Sequence, residues 1–452
     1  MTKDVSPALL LDLYELTMAD AYRIEGMADE RATFSLFARS LPDGWGYLVA
    51  AGLADCLDWL EGLRFGPSDL AAIERLGGFS QDFLGWLSTV RFEGSVRAVR
   101  EGSIVFPGEP ILEVEGPLAT AQLAETFLLN QITLQTGLAT EAARCRHAAQ
   151  GRAVIDFSLR RAPGVDAGMK LARCSRLVGL DGTSNVAGAD RYRLPASGTM
   201  AHSFVQAHVD ETTAFRRFAE AFKERSLLLV DTYDAERGID RAIEVALEMR
   251  QRRVELRGIR IDSGDLAQLA RLARTKLDSA GFPNLIVFVS GGLDEHRIQQ
   301  LLTVEQAPID GFGVGTSLGA AGNVPTLETV YKLVVHDGRP VRKTSAGKAI
   351  WPGAKQVFRQ ISWSGDTLAL AEEPVPDDDH IALLEEVMRG GERTTAGARS
   401  LAQAADHFEV QWRELPDSLK GLQSPAPYAV LPSTHLQLLT QRVDFALANS
   451  SG

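Results

Sequence analysis

Three observations predict an α/β protein: an irregular (β/α) barrel with a flanking α+β domain. Seven short apolar runs recur through the middle of the chain, each ending in glycine or polar residues: AVIDFSLRR, LVGLDGTSN, YRLPASGTMAHS, LLLVDTYD, GIRIDSGD, LIVFVSGG and GFGVGTS. Helical segments at 212–223, 239–252 and 266–280 lie between several of them. The stretch before them instead mixes helical periodicity with alternating strands. Continuous apolar runs mark buried parallel strands, because helices cover the sheet. Seven such units suit an incomplete or irregular barrel better than an open sheet.

The elements follow in order. An amphipathic helix is expected near 9–23, a strand at 32–37, and helices through Trp59 and at 70–76. VRAVREGSIVFPGEPILEVEG alternates apolar and polar residues between Gly102, Pro107, Gly108, Pro110 and Gly116, which reads as short antiparallel strands with tight turns. Residues 119–150 read as one long helix. The barrel rhythm starts near 153 and fades after 345, so the expected domains are 1–150, 151–345 and a segment 346–452 that returns to the N-terminal domain. Within that segment, 343–360 is basic and turn-rich, 362–386 is acidic, and a helical tail follows.

Bulk properties exclude several function classes. The net charge of −12 argues against a nucleic-acid surface, which needs a basic face to displace counterions. An anionic small molecule remains allowed, since it needs only a local cluster of arginine and backbone N–H groups. Cys56, Cys145 and Cys174 are scattered and form no disulfide framework, which fits a reducing cytoplasm. MTKDVSPALL does not read as a signal peptide, and no apolar run approaches the ~20 residues of a membrane span.

The strand ends carry the chemistry, as they do in barrel enzymes. SGG (290–292) and GVGTS (313–317) close successive runs, where backbone free of side chains can approach a phosphate and Thr316 adds a hydroxyl. Either glycine pair alone would serve an ordinary turn; together they point to an anion. VDTYD and RIDSGD supply Asp231, Asp234, Asp262 and Asp265. Mg²⁺ with a diphosphate takes one or two carboxylates. Asp265 could equally cap the helix that follows it, and Asp234 could merely balance nearby arginines. Arg160, Arg161 and Arg260 can grip a carboxylate or phosphate bidentately, or serve as structural ion pairs. His202 lies in GTMAHS among these anion-binding ends, whereas His147 and His208 read as structural. The runs end without the lysine a Schiff-base aldolase needs. Spacing gives no HExxH-type zinc cluster.

Eight stretches occur in family order: LDLYELTMADAY, REGSIVFPGEPILEVEGPL, DFSLRRAPGVDAG, LDGTSNVAG, SGTMAHSF, LLLVDTYD, IRIDSGDL and GFGVGTSL. Together they resemble the nicotinate phosphoribosyltransferase family over nearly the whole chain. The resemblance implies the type II phosphoribosyltransferase fold and a homodimer with shared active sites. It implies transfer of phosphoribosyl from phosphoribosyl pyrophosphate (PRPP) to nicotinate in NAD biosynthesis, with Mg²⁺ and with ATP as co-substrate through a phosphohistidine. By motif position the phosphohistidine is His202. Thr199 and Arg260 would contact nicotinate, Tyr14 from the neighbouring subunit and Phe157 would sandwich its ring, and Arg160 would help hold substrate. Gly291, Gly292, Gly313, Gly315 and Thr316 would hold the 5′-phosphate. Asp231 and Asp262 would organise ribose, diphosphate and Mg²⁺. A nicotinamide-specific relative would carry an acid near Ser184, and 183–185 holds none. A quinolinate enzyme would not need the phospho-acceptor. A non-catalytic phosphate sensor on the same scaffold could dispense with the acid or the histidine.

Overall fold

The structure, a computed structural model, describes residues 5–322, 324, 326–345 and 349–450. Residues 1–4 of the N-terminal stretch and 346–348 of the basic stretch lie outside them. The chain divides into two compact units, Met1–Gly137 with Thr326–Gly452, and Leu138–Pro325. The first division falls inside the helix Glu125–Ala148, and the second at 325/326; the expected domains were drawn at 150 and 345.

The unit Leu138–Pro325 contains strands β1 (Ala153–Asp156), β2 (Gly182–Thr183), β3 (Leu227–Leu229), β4 (Gly258–Ile261), β5 (Ile286–Ser290) and β6 (Gly311–Val314). They pair in the order β2-β1-β6-β5-β4-β3, every pair parallel. Their short apolar sequences suit burial on both faces; β3, β4 and β6 are buried throughout. Ile155, Leu227 and Phe288 form a cluster, with Phe157 and Ile286 packed on it.

The βα rhythm is enforced locally by caps. Asp210, Asp234, Asp265 and Asp294 each accept a hydrogen bond from the backbone N–H three residues on, at 2.7–3.0 Å. Each bond satisfies one of the orphan donors at the start of a helix. They open Glu211–Phe222, Ala235–Gln251, Leu266–Ser279 and Glu295–Gln299.

Two of the expected runs do not become full strands. LVGLDGTSN contributes only the two residues of β2, because the helix Val165–Leu177 and its end consume the preceding apolar residues. YRLPASGTMAHS makes a single bridge, Ala196 to Thr183, and then enters the short helix His202–Gln206. Pro195 lacks an N–H, and the neighbouring groups spend their bonds on Thr183: Thr183 N donates to Pro195 O at 3.0 Å and Ser197 N to Thr183 O at 2.9 Å. Among the described residues the ladder therefore stays open between β2 and β3.

The unit formed from both ends of the chain holds a seven-stranded sheet. Its order is Arg339–Pro340, Thr329–His336, Arg31–Ala38, Pro110–Pro117, Ser95–Val99, Leu384–Arg389 and Glu392–Arg393. The turn-punctuated stretch read from 96 onward supplies two of these strands and Ile104–Val105. A second sheet orders His380–Ala382, Lys355–Gln360, Asp366–Leu370 and Val430–Pro432, where basic turns, an acidic stretch and a helical tail were expected. Its core is partly ionic: the Arg359 guanidinium donates to Asp366 at 2.6 Å and lies across Trp363 at 4.4 Å.

Other expectations shift at their edges. The first α-helix is Leu13–Ile24, after a 3₁₀ turn at Pro7–Leu9, since Asp12 and Glu15 form a capping box. The single helix expected at 119–150 is two, Leu118–Gln122 and Glu125–Ala148. Gln81–Thr89, capped by Ser80, was not anticipated.

Candidate active site

Arg260 and Asp262 stand two residues apart at the end of β4, so the strand's alternation points them the same way. The arginine is 8% exposed. Its Nε donates to Ser290 Oγ at 2.8 Å, Nη1 to Thr199 Oγ1 at 2.9 Å, and Nη2 to Asp262 Oδ1 at 2.8 Å. The guanidinium carbon lies 5.4 Å from the centre of the Phe157 ring. A largely desolvated cation is thus held beside an aromatic face and a hydroxyl, an arrangement suited to a flat anion. Phe157 and Thr199 also line a cavity through the barrel interior, past Ile155 and Phe288 to Arg225 and Arg257 at the N-terminal ends of the strands.

Asp262 accepts a second bond from Ser290 Oγ at 2.5 Å. Burial raises its carboxyl, but the bonds from Ser290 and Arg260, with the charges of Arg260 and His202, outweigh that and hold it below the usual range. Asp231, just beyond β3, accepts from Asp262 N at 3.0 Å and Ser263 Oγ at 2.5 Å through Oδ2. Its Oδ1 is buried without a hydrogen-bond partner. A lone carboxylate oxygen beside a second acid matches the hard oxygen donors that Mg²⁺ prefers.

His202 opens its short helix at the rim of the same cluster. Its Nδ1 is 3.2 Å from Thr232 Oγ1 and its Nε2 3.8 Å from Asp262 Oδ2. The imidazole is 40% exposed.

The glycine loops are shaped by close approach. Gly291 has φ +87, and a Cβ there would meet Asp262 O at 1.9 Å; at Gly313 it would meet Phe157 Cε2 at 2.4 Å. Both glycines therefore let the SGG and GVGTS loops close against the acid and the aromatic ring. Gly292, Gly315 and Thr316 continue these loops, and Thr316 begins the short turn Thr316–Gly319.

Arg160 and Arg161 follow β1 and are both exposed, so burial does not choose between them. Ser184 is exposed, while its backbone N–H donates to Asp156 O at 2.8 Å. Asp156 also accepts from Ser158 and Thr183, which fixes the loop that carries Phe157. Tyr14 belongs to the other unit, on Leu13–Ile24, and is 43% exposed. Its hydroxyl is pushed up by burial and by Glu125 and Glu15. Asp234 and Asp265 are helix caps. Sequence reading missed the linking roles of Ser290, Thr232 and Ser263. Each is an unremarkable hydroxyl beside a strand end, and only its position next to an acid could have flagged it.

Comparison with known proteins decides what this site belongs to. Residues 9–133 match the nicotinate phosphoribosyltransferase N-terminal domain, and 153–348 match the nicotinate phosphoribosyltransferase family. The chain belongs to the nicotinate phosphoribosyltransferase family. It is 48% identical over 419 residues to nicotinate phosphoribosyltransferase pncB2 of Mycobacterium tuberculosis, covering 92% of this chain and 89% of that one. The nicotinate phosphoribosyltransferase of Bacillus subtilis is 43% identical over 397 residues, covering 85% and 80%. The crystal structure of human nicotinic acid phosphoribosyltransferase superposes with a TM-score of 0.85 at 30% identity, covering 96% of this chain and 100% of that one. A nicotinate-nucleotide pyrophosphorylase from Pyrococcus furiosus, at 24% identity and a TM-score of 0.76, shares the fold. The protein is therefore an enzyme of the nicotinate phosphoribosyltransferase type, with a type II phosphoribosyltransferase fold.

Proposed function

We propose that this enzyme joins nicotinate to the ribose of PRPP, giving nicotinate mononucleotide and pyrophosphate, with ATP hydrolysis coupled through phosphorylated His202. The observation that carries this reading is the buried Arg260 guanidinium, held between Thr199 and Asp262 with Phe157 against it. Arg260 and Thr199 hold the nicotinate carboxylate while Phe157 lies on the ring. Tyr14 of a partner subunit covers the other ring face in a homodimer. Ser184 is exposed, and 183–185 offers no acid to favour an amide. Arg160 steadies substrate.

The ring nitrogen then forms a bond to the anomeric carbon as the bond to the diphosphate oxygen breaks, and pyrophosphate leaves with the electron pair. Fixed positioning of the two reactants supplies much of the acceleration. Gly291, Gly292, Gly313, Gly315 and Thr316 hold the 5′-phosphate. Asp231 and Asp262 are the residues that would hold Mg²⁺, whose charge would favour departure of the diphosphate; the unpartnered Asp231 Oδ1 supports that role. At His202, Thr232 against Nδ1 leaves Nε2 to take the γ-phosphoryl of ATP, releasing ADP, and water later removes it. Three buried free thiols suit a cytoplasmic setting. Among the described residues no helix is long and apolar enough to cross a membrane.

The test offers nicotinate, nicotinamide and quinolinate in parallel, with and without ATP, and assays the nucleotide formed. Nicotinate should react fastest and ATP should raise its turnover. In His202→Ala the coupled hydrolysis should vanish while slow ATP-independent transfer remains. A preference for either other acceptor would overturn the substrate assignment, and intact coupling in the variant would overturn the role of His202.

A further inference from the structure

Behind the two glycine loops lies a buried group of charges that the reaction itself does not use. Glu141, Arg144 and Cys145 share a face of the helix Glu125–Ala148, and Glu295 opens Glu295–Gln299 directly after the SGG loop. Glu141, Arg144 and Glu295 are 0%, 1% and 4% exposed. Arg144 donates to Glu295 Oε1 from both Nε and Nη2 at 3.1 Å, so the helix that follows the SGG loop is pinned to the long helix. Ser317, the last residue of GVGTS, donates to Glu141 Oε1. Glu141 Oε2 is buried without a donor, and Gly322 approaches so closely that a Cβ there would lie 2.9 Å from it. Ligand atoms of Glu141, Cys145 and Glu295 all fall within 4.8 Å of one another. Arg144 already supplies the cation at this place, so a metal ion has little to add there.

We propose that Glu141 is a positioning residue that ties the SGG and GVGTS loops together from behind, and so sets the affinity for the phosphorylated substrate. The assignment rests on the reading that these loops hold the 5′-phosphate of PRPP. Burial, and then the negative charge of Glu295, push the Glu141 carboxyl up to about 8, although Ser317 and Arg144 oppose the shift. At neutral pH Glu141 therefore carries a proton that it can give to Glu295 while accepting from Ser317. Once it ionises, the two carboxylates Glu141 and Glu295 both lie beside Arg144 and repel each other. Among the described residues, Cys145, Asp294, His296 and Ser317 also lie around them. Burial and the nearby acids push the Cys145 thiol up, so it stays neutral, and His296 sits 3.5 Å from Glu295 Oε1.

Steady-state kinetics of the full-length enzyme between pH 6.5 and 9.5 test this. In the wild type, KM for PRPP should rise above pH 8 while KM for nicotinate stays flat. Glu141→Gln mimics the protonated acid, so its KM for PRPP should stay near the neutral-pH value throughout. Glu141→Ala should raise KM for PRPP on the order of tenfold at pH 7, and KM for nicotinate less than twofold. Glu141→Gln climbing with pH as the wild type does would overturn the assignment. So would equal rises in both constants for Glu141→Ala. Thr316→Ala separates the two layers. An unchanged KM for PRPP there overturns the phosphate reading itself. A raised one, with wild-type behaviour in both Glu141 variants, overturns only the role of Glu141.

Discussion

At the scale of single residues, two buried bases show how environment sets behaviour. Around Arg260, the hydrogen bonds to Asp262, Ser290 and Thr199 replace the water its guanidinium has lost. Arg260→Ala should lower kcat/KM for nicotinate by about 10²–10³, the cost of a desolvated charge-assisted contact, with little change in KM for ATP. Equal changes for both substrates would remove it from the carboxylate pocket. His407 is the opposite case. Burial, followed by the charges of Arg100 and Arg399, lowers its pKa to about 4 from an ordinary value near 6.5. Between those values the unfolded chain binds the proton and the folded one does not, so stability falls as pH drops from 6.5 to 4. The loss amounts to about 3 kcal/mol when complete. His407→Gln should flatten the fall in melting temperature over that window. Parallel curves for variant and wild type would show that His407 does not drive it.

At the scale of elements, the same residue type does different work at neighbouring strand ends. Asp262 faces Arg260 and His202, whereas Asp265, three positions on, accepts from the Gln268 N–H and starts a helix. Asp265→Ala should therefore cost about 1 kcal/mol of stability and leave the kinetic constants for nicotinate and PRPP near wild type. Asp262→Asn should do the reverse, with activity lost and melting little changed. A kinetic defect in Asp265→Ala matching that of Asp262→Asn would place both acids in the site. The Asp265 cap was one of two readings local text allowed and the Arg260–Asp262 spacing was plain in it, whereas the caps at Asp210, Asp234 and Asp294 emerged only with the structure. The fate of YRLPASGTMAHS was not legible either, since its apolar character suggested a strand. Whether such a run pairs depends on Pro195 and on which neighbour claims its remaining groups.

At the scale of the whole molecule, residues assigned to one reaction are divided between two units. Tyr14 belongs to the unit built from both chain ends, and Arg260, Asp262 and His202 to the other. If Tyr14 acts across a homodimer, mixing Tyr14→Ala with His202→Ala subunits should restore part of the ATP-coupled activity that neither has alone. No recovery despite demonstrated subunit exchange would argue for a site within one chain. The middle rhythm was enough to predict the barrel, and resemblance over nearly the whole chain predicted its family. The division at 137/138 leaves no local mark, because Glu125–Ala148 is one continuous helix across it.

The sequence by itself determined the parallel βα unit, a cap reading for Asp265, and the acids, arginine and glycines at its strand ends. Those features follow from apolar runs and short-range hydrogen bonds that neighbouring residues specify. Only the tertiary structure decided that Thr199 reaches Arg260 across 61 positions, that Ser290 reaches Asp262 across 28, and that Glu141 backs a loop 176 residues away. Contacts at such separations leave no local pattern. They arise when burial brings distant strand ends together and every polar group left inside must find a partner.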